Sequence, residues 1–358
     1  MAELLGLGLT HYPLLAVQDK YMSSLLRATR RDPDIPEREK DPANWPEQMR
    51  AEWSDDRGLA AAAGHRAELL DGLRRCRAAL DEFRPDALIV FGDDQYENFR
   101  EEIIPPFCVL ALPDVKVQPY APMNEIGLPN AWGQPEDSSF ELRGAPELGK
   151  SVATGLLEAG FDMSYAYRQR EGIHFPHAIA NTQLYLDYEH AGATFPYPML
   201  PILVNCYGRH VIARKGGMAK FADIARGEEL DPPGPSPVRC FEMGRALART
   251  LRESEHRVAI VASSSWSHAF LNDKQWHLMP DMDADRALYR ALVDGDLDTW
   301  LRVRGDDLAA AGQQEMLNWF CLLGAMTEIE APLSWSALVE TYIFNSNKCF
   351  AIFGQEGA

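Results

Sequence analysis

Five short stretches of this 358-residue chain carry reactive or metal-binding side chains. Thr10-His11-Tyr12-Pro13 offers an imidazole at the end of an apolar run. Gly92-Asp93-Asp94-Gln95-Tyr96-Glu97-Asn98 gathers oxygen donors just past another apolar run. Such donors suit a metal ion or a polar substrate, although Asp, Asn and Gly also crowd ordinary turns. Gly172-Ile173-His174-Phe175-Pro176-His177 sets two histidines around a proline, which argues against a regular helix between them. Ser263-Ser264-Ser265-Trp266-Ser267-His268 delivers small hydroxyls and a further imidazole. The fifth is Glu315, where helical spacing predicts a shared face with Ala311, Trp319 and Leu322. A carboxylate on an apolar stripe is expensive to bury unless paired or metal-bound. The plain alternative is a solvated first-turn Glu favoured by the helix dipole.

Periodicity supplies the scaffold that carries these groups. Residues 4–9, 87–91, 107–112, 163–168, 199–204 and 257–262 read as strands, the run at 87–91 as one buried on both faces. Residues 59–83 read as an amphipathic helix with Leu69, Leu70, Leu73, Cys76 and Leu80 inward and His65 solvated. Residues 145–159, 238–253, 283–302 and 306–326 are the other helices, and 342–353 closes the chain. Strands alternating with helices predict an α/β fold: one layered domain over 1–358, with a central mostly parallel or mixed sheet flanked by helices. Ligands in such sheets sit at the carboxyl ends of strands, where His11, Gln95 and His268 all fall. Residues 32–56, 114–143 and 208–237 lack periodicity and read as insertions that line or cover a pocket.

Composition narrows the class. A net charge of -18 and no basic run exclude a nucleic-acid partner. No apolar stretch reaches membrane-spanning length, and the first residues lack a signal-peptide pattern. The six cysteines include no CxxC pair and read as buried, reduced thiols of a cytoplasmic protein. There is no internal repeat, GxGxxG or Walker loop, so no nucleotide cofactor is expected.

Taken in order, these motifs resemble the LigB-type, class III extradiol ring-cleavage dioxygenases, which include the protocatechuate 4,5-dioxygenase catalytic subunit. The resemblance is carried by Thr10-His11, by Val90 to Phe99 followed by Ile103-Ile104-Pro105, and by His177 ahead of Pro201 to Asn205. Ser265-Trp266-Ser267-His268, Gln314 to Trp319 and Tyr342 to Asn347 complete it. It implies a LigB-like fold and a mononuclear Fe(II) site of two histidines and one glutamate, the facial triad of non-haem oxygenases. Carried over, His11 and Glu315 are ligands, and the second histidine falls on Gln95. Either Gln95 ligates, or Asp93, Asp94, Glu97 or a water takes its place. His177 matches the acid/base, with His174 in reserve. A catechol must lose a proton on binding metal and ring opening needs one returned, which a histidine can do. Ser346 and Asn347 fall where the family contacts substrate, and His268 joins them as a substrate-binding residue.

The resulting expectation is a dioxygenase that cleaves a catecholic ring beside its two hydroxyls. Its small-molecule partners are the aromatic substrate and O2. Trp132, Arg143, Arg209, Arg214 and Lys215 in the insertions suggest a carboxylated substrate. The family also implies a homodimer and, in some members, a small separate lid subunit (LigA-like). Two rival readings stand: a non-catalytic homologue that binds an aromatic ligand or a partner subunit, favoured by Gln95, and a zinc hydrolase on the same scaffold.

Overall fold

Ten strands are laid down along the chain in a computed structural model that describes residues 3–217 and 219–354. They are β1 (Glu3–Leu9), β2 (Ala87–Asp93), β3 (Phe107–Leu110), β4 (Val115–Val117), β5 (Phe140–Leu142), β6 (Ser164–Ala166), β7 (Met199–Val204), β8 (Arg257–Ser263), β9 (Leu333–Val339) and β10 (Lys348–Phe353). Eight form one mixed sheet in the order β6-β3-β7-β2-β8-β1-β10-β9, while β4 and β5 make a separate antiparallel pair. The middle of the sheet, β7-β2-β8-β1, is parallel throughout. Its four carboxyl ends therefore lie along one edge, with Phe91 beside Ala262 and Leu9 beside Ser263.

Both faces of this centre are covered, which is why β2 and β7 read as unbroken apolar runs. Ile89 and Phe91 face one core, packed by helices Pro146–Glu158, Pro237–Arg252 and Met316–Glu328. Leu88 and Val90 face the other, packed by helices Leu59–Phe83 and His177–Leu186. Helix Met316–Glu328 lies directly on β1. A methyl group on Gly8 would come within 2.1 Å of the Trp319 ring, and one on Gly6 within 2.3 Å of the Met326 sulfur. These two glycines form the notch that seats the helix, and the seating fixes where its amino end falls.

Several expectations need correction. Residues 306–326 are not one helix. Gly305–Ala310 ends, Gly312 turns the chain at φ +69°, and Met316–Glu328 begins afresh with Glu315 as its N-cap. Ala311 therefore shares no helical face with Glu315. Likewise Gly295, at φ +67°, divides 283–302 into Met282–Val293 and Leu297–Leu301. Only Lys348–Phe353 of the closing segment is strand, and β9 beside it gives no sequence signal because its partly exposed edge lacks a clear apolar run. The three insertions hold short ordered pieces, among them helices Glu47–Trp53, Ala121–Glu125 and Phe221–Ala225. His65 is buried, not solvated, with Nε2 3.1 Å from the equally buried Lys348 Nζ.

Candidate metal centre and active site

Along the carboxyl edge of the parallel strands, three buried side chains from distant parts of the chain converge. His11 follows β1, Asp93 is the last residue of β2, and Glu315 caps helix Met316–Glu328. One donor atom from each lies within 4.8 Å of the other two. His11 Nε2 stands 3.6 Å from Asp93 Oδ1 and 3.5 Å from Glu315 Oε2. His11 Nδ1 is 3.0 Å from the Ser263 carbonyl oxygen at the end of β8. A carbonyl only accepts, so Nδ1 carries the hydrogen and Nε2 presents its lone pair to the cluster. That is the tautomer a metal-binding histidine requires.

Polar bookkeeping separates the two carboxylates. Glu315 Oε2 accepts from the Ser265 backbone N–H at 3.0 Å, and Oε1 from the Tyr207 hydroxyl at 3.2 Å and the Gln95 amide at 3.3 Å. Asp93 is fully buried, and neither carboxyl oxygen has a hydrogen-bond partner. A buried carboxylate with two orphaned oxygens is among the costliest arrangements a protein can hold. A cation between His11, Asp93 and Glu315 satisfies it. The donor set therefore fits a divalent metal. It is one imidazole with two carboxylates, harder and more anionic than two imidazoles with one carboxylate.

The charges agree. Burial, and next the nearby Glu315, push the Asp93 carboxyl well above its usual range. Burial pushes the His11 imidazole down to about 4. Burial alone would raise Glu315, but His268 and then His11 outweigh it and hold the carboxyl down at about 2. One carboxylate thus stays charged while its neighbour resists ionising, the tension a bound cation relieves.

His177 stands beside the cluster at the start of helix His177–Leu186, its ring edge-on to His11 at 5.0 Å between centroids. Its Nδ1 is 3.1 Å from Glu97 Oε1, and its backbone N–H donates to the same oxygen at 3.0 Å. Burial alone would lower this imidazole, but Glu97 overrides it and the pKa rises to about 9. The ring is therefore an imidazolium near neutrality, with a buried Nε2 that no protein group engages. His268 lies across the cluster, its Nε2 3.2 Å from Glu315 Oε1 and its Nδ1 buried without a partner.

A solvent-connected cavity of about 710 Å³ opens onto these groups. His11, Gln95, His177, His268 and Glu315 line it on one side, and Leu14, Leu25, Met123, Ile126, Leu128 and Phe270 on the other. Met123, Ile126 and Leu128 come from insertion 114–143 and Gly216 and Gly217 from 208–237; among the described residues, insertion 32–56 contributes nothing. His174 is elsewhere, half-exposed and 2.8 Å from Glu125. Ser346 and Asn347 are fully buried and do not line the cavity. The Asn347 amide donates to Asp285 at 2.8 Å and accepts from the Thr341 N–H at 2.9 Å, while Asn345 reaches the lining instead. Among the described residues, the cations expected to meet a carboxylated substrate are also absent from this lining. Arg143 donates to the Pro196 carbonyl, Arg214 is paired with Glu228 and Asp273, and Arg209 lines a different cavity.

Three participants are only weakly marked in the sequence. Asp93 and Glu97 are expected only as substitutes for Gln95, yet one completes the donor cluster and the other raises the pKa of His177. The third is Tyr207, unmarked by any motif, which donates its hydroxyl to Glu315. The available signal is its place three residues past β7, by the rule that locates the others. Gln95 itself directs its amide onto Glu315 and the Tyr207 hydroxyl.

Fold and site together define an α/β protein with a metal-fitting cluster at the carboxyl edge of its sheet. Residues 229–351 match the family described as the catalytic LigB subunit of aromatic ring-opening dioxygenase. The likeness to LigB-type extradiol dioxygenases read from the motifs is thereby borne out. The chain is 24% identical over 202 residues to a 2,3-dihydroxyphenylpropionate/2,3-dihydroxicinnamic acid 1,2-dioxygenase 2 of Pseudomonas putida, covering 56% of this chain and 49% of that protein. A similarly named enzyme of Rhodococcus globerulus is 23% identical over 295 residues, covering 75% and 86%. The chain spans about half the length of the first curated relatives it matches. A solved structure, uncharacterized protein JW3007 from Escherichia coli K12, aligns with a TM-score of 0.44 at 14% identity, covering 80% of this chain and 92% of that one.

Proposed function

We propose that the protein is a metal-dependent extradiol dioxygenase that opens a catecholic ring with O2, with Fe(II) held by His11, Asp93 and Glu315. The observation that carries this reading is Asp93, buried with both oxygens orphaned beside a correctly tautomerised histidine. The metal, when bound, supplies Lewis-acid and one-electron chemistry at the ring hydroxyls. The chain's own residues supply the rest. The apolar wall takes the ring face and excludes water, so that positioning contributes much of the rate. His177 Nε2, paired through Nδ1 to Glu97, holds a proton at the cavity wall and exchanges it with a substrate oxygen. Tyr207 and Gln95 fix the Glu315 carboxylate, and Ser263 fixes the His11 ring.

The lining favours an aromatic compound with an apolar substituent over a carboxylated one, since among the described residues no Lys or Arg lines the cavity. The six free cysteines, all buried, support a reducing, cytoplasmic setting. Among the described residues, no helix is long and apolar enough to cross a membrane.

Metal analysis of the purified protein with oxygen uptake over a catechol panel tests the proposal. Iron with stoichiometric O2 consumption and a yellow ring-opened product is the expected result. The His-Asp-Glu donor set also favours a second reading, a zinc hydrolase. Zinc occupancy with ester or amide turnover and no oxygen uptake would replace the first reading with it.

A further inference from the structure

Away from the metal cluster, a second concavity of about 1060 Å³, open to solvent, is lined by Arg27, Arg30, Arg31, Lys40 and Arg57 against only Glu37 and Asp41. In a chain of net charge -18, five cations crowded into one basin are not an average surface. The two carboxylates are already engaged. Glu37 pairs with Lys40 at 2.6 Å, and Asp41 accepts from the Ala43 N–H at 2.9 Å. Among the described residues, no carboxylate forms an ion pair with Arg27, Arg30, Arg31 or Arg57. The Arg27 Nε is buried without a hydrogen-bond partner.

The basin is also built, not left to solvent. The Arg30 guanidinium lies 5.2 Å from both the Trp45 and Trp53 rings, and its Nε donates to the Lys40 carbonyl at 3.1 Å. Arg57 is held at φ +61°, in the left-handed region that a branched or long side chain rarely adopts, while its carbonyl accepts from Ser23 at 2.8 Å. Burial and the mutual repulsion with Arg57 both weaken the hold of Arg27 and Arg30 on their protons.

We propose that this basin binds a small polyanion, a phosphate ester or a compact polycarboxylate, engaged by the forked donors of Arg27, Arg31 and Arg57. Arginine forks match carboxylate and phosphate oxygens two at a time, and Trp53 offers an apolar wall to the rest of the ligand. The basin shares helix Ser24–Thr29 with the candidate active cavity: Ser24 and Leu25 line the cavity and Arg27 the basin. The proposal is independent of the dioxygenase reading.

Calorimetric and thermal-melt titrations of the full chain with inorganic phosphate and with tricarballylate, at ionic strength fixed by chloride, test it. Both titrations are repeated on chelated, metal-free protein, so that an anion taken up at a metal is told apart from one bound in the basin. Saturable binding by either probe is expected, and the tighter one identifies the ligand's charged group. Arg57→Gln and Arg27→Gln should each raise the dissociation constant about tenfold or more. Neither should melt below the wild type without ligand, because each relieves repulsion. Two variants are used so that one folded variant suffices. Absence of saturable binding by both probes, or equal binding by wild type and variants, overturns the proposal. Binding of polyglutamate with none of either small anion also overturns it, in favour of a docking surface for an acidic protein.

Discussion

At the residue scale the question is which atoms hold the metal and which move the proton. Asp93→Asn and Glu315→Gln are each expected to abolish metal uptake, because each neutralises one of the two carboxylates that would face the proposed cation. Gln95→Ala should weaken metal binding several-fold without abolishing it, since the Gln95 amide steadies Glu315 and the three donors remain. Metal titration followed by elemental analysis separates these outcomes. Retention of metal by Asp93→Asn together with complete loss in Gln95→Ala would return the third position to Gln95. His177→Ala should keep the metal and lose turnover by roughly 10²–10⁴-fold, the worth of a positioned acid/base. Comparing kcat and metal content in one preparation checks it. Much of this is legible in the chain, because buried strands that end in Asp or Ser, or lead within two residues to His, advertise a site. The third donor is not. Asp93, Asp94, Gln95 and Glu97 lie within five positions, and only the end of β2 decides that Asp93 points inward while Asp94 turns to cap Asn98 and Phe99.

At the element scale the centre depends on how helix Met316–Glu328 is seated, because Glu315 is its N-cap. Across from β1 this helix packs on Pro237–Arg252 through a reciprocal pair of glycines. A methyl group on Gly324 would lie 1.9 Å from the Phe241 carbonyl oxygen, and one on Gly244 1.9 Å from that of Cys321. Backbone contacts of this kind cannot yield by a rotamer change. Gly324→Ala should therefore push the helices apart and destabilise the fold by about 1–3 kcal/mol, the usual cost of overpacking. It should also weaken metal binding, although Gly324 lies more than two helical turns from Glu315. A lowered denaturation midpoint with unchanged metal affinity would mean that Glu315 is placed by the sheet-edge loops alone. Periodicity locates the body of both helices. It cannot locate the break at Gly312, because Ala309-Ala310-Ala311 and Gln313-Gln314 are as helical in propensity as Met316-Leu317, and the turn is set by the chain passing against His268 and Asn272.

At the scale of the whole molecule, the metal would tie together residues 11, 93 and 315, which come from two strands and the helix laid over them. Its loss should thus be felt in global stability. Loading at a hundredfold excess over the dissociation constant is worth about 2.7 kcal/mol. The stabilisation should also depend on pH. Asp93 has its folded pKa raised far above its unfolded value, and His177 has its raised to about 9. In both cases the folded metal-free protein holds a proton that the unfolded chain releases first. For His177 the stabilisation is complete below about 6.5 and is lost as pH climbs to about 9; for Asp93 the loss begins above 3.8. The metal-free protein is therefore expected to lose stability steadily between pH 6.5 and about 9. Across the same range Asp93, the one donor that still holds a proton, gives it up more readily and the metal binds more tightly. The gap in melting temperature between metal-loaded and chelated protein should widen as pH rises, and in His177→Gln the metal-free curve should flatten. A gap that is constant or narrows with pH would show that Asp93 is ionised in the empty site, held there by something other than the raised pKa that its burial imposes.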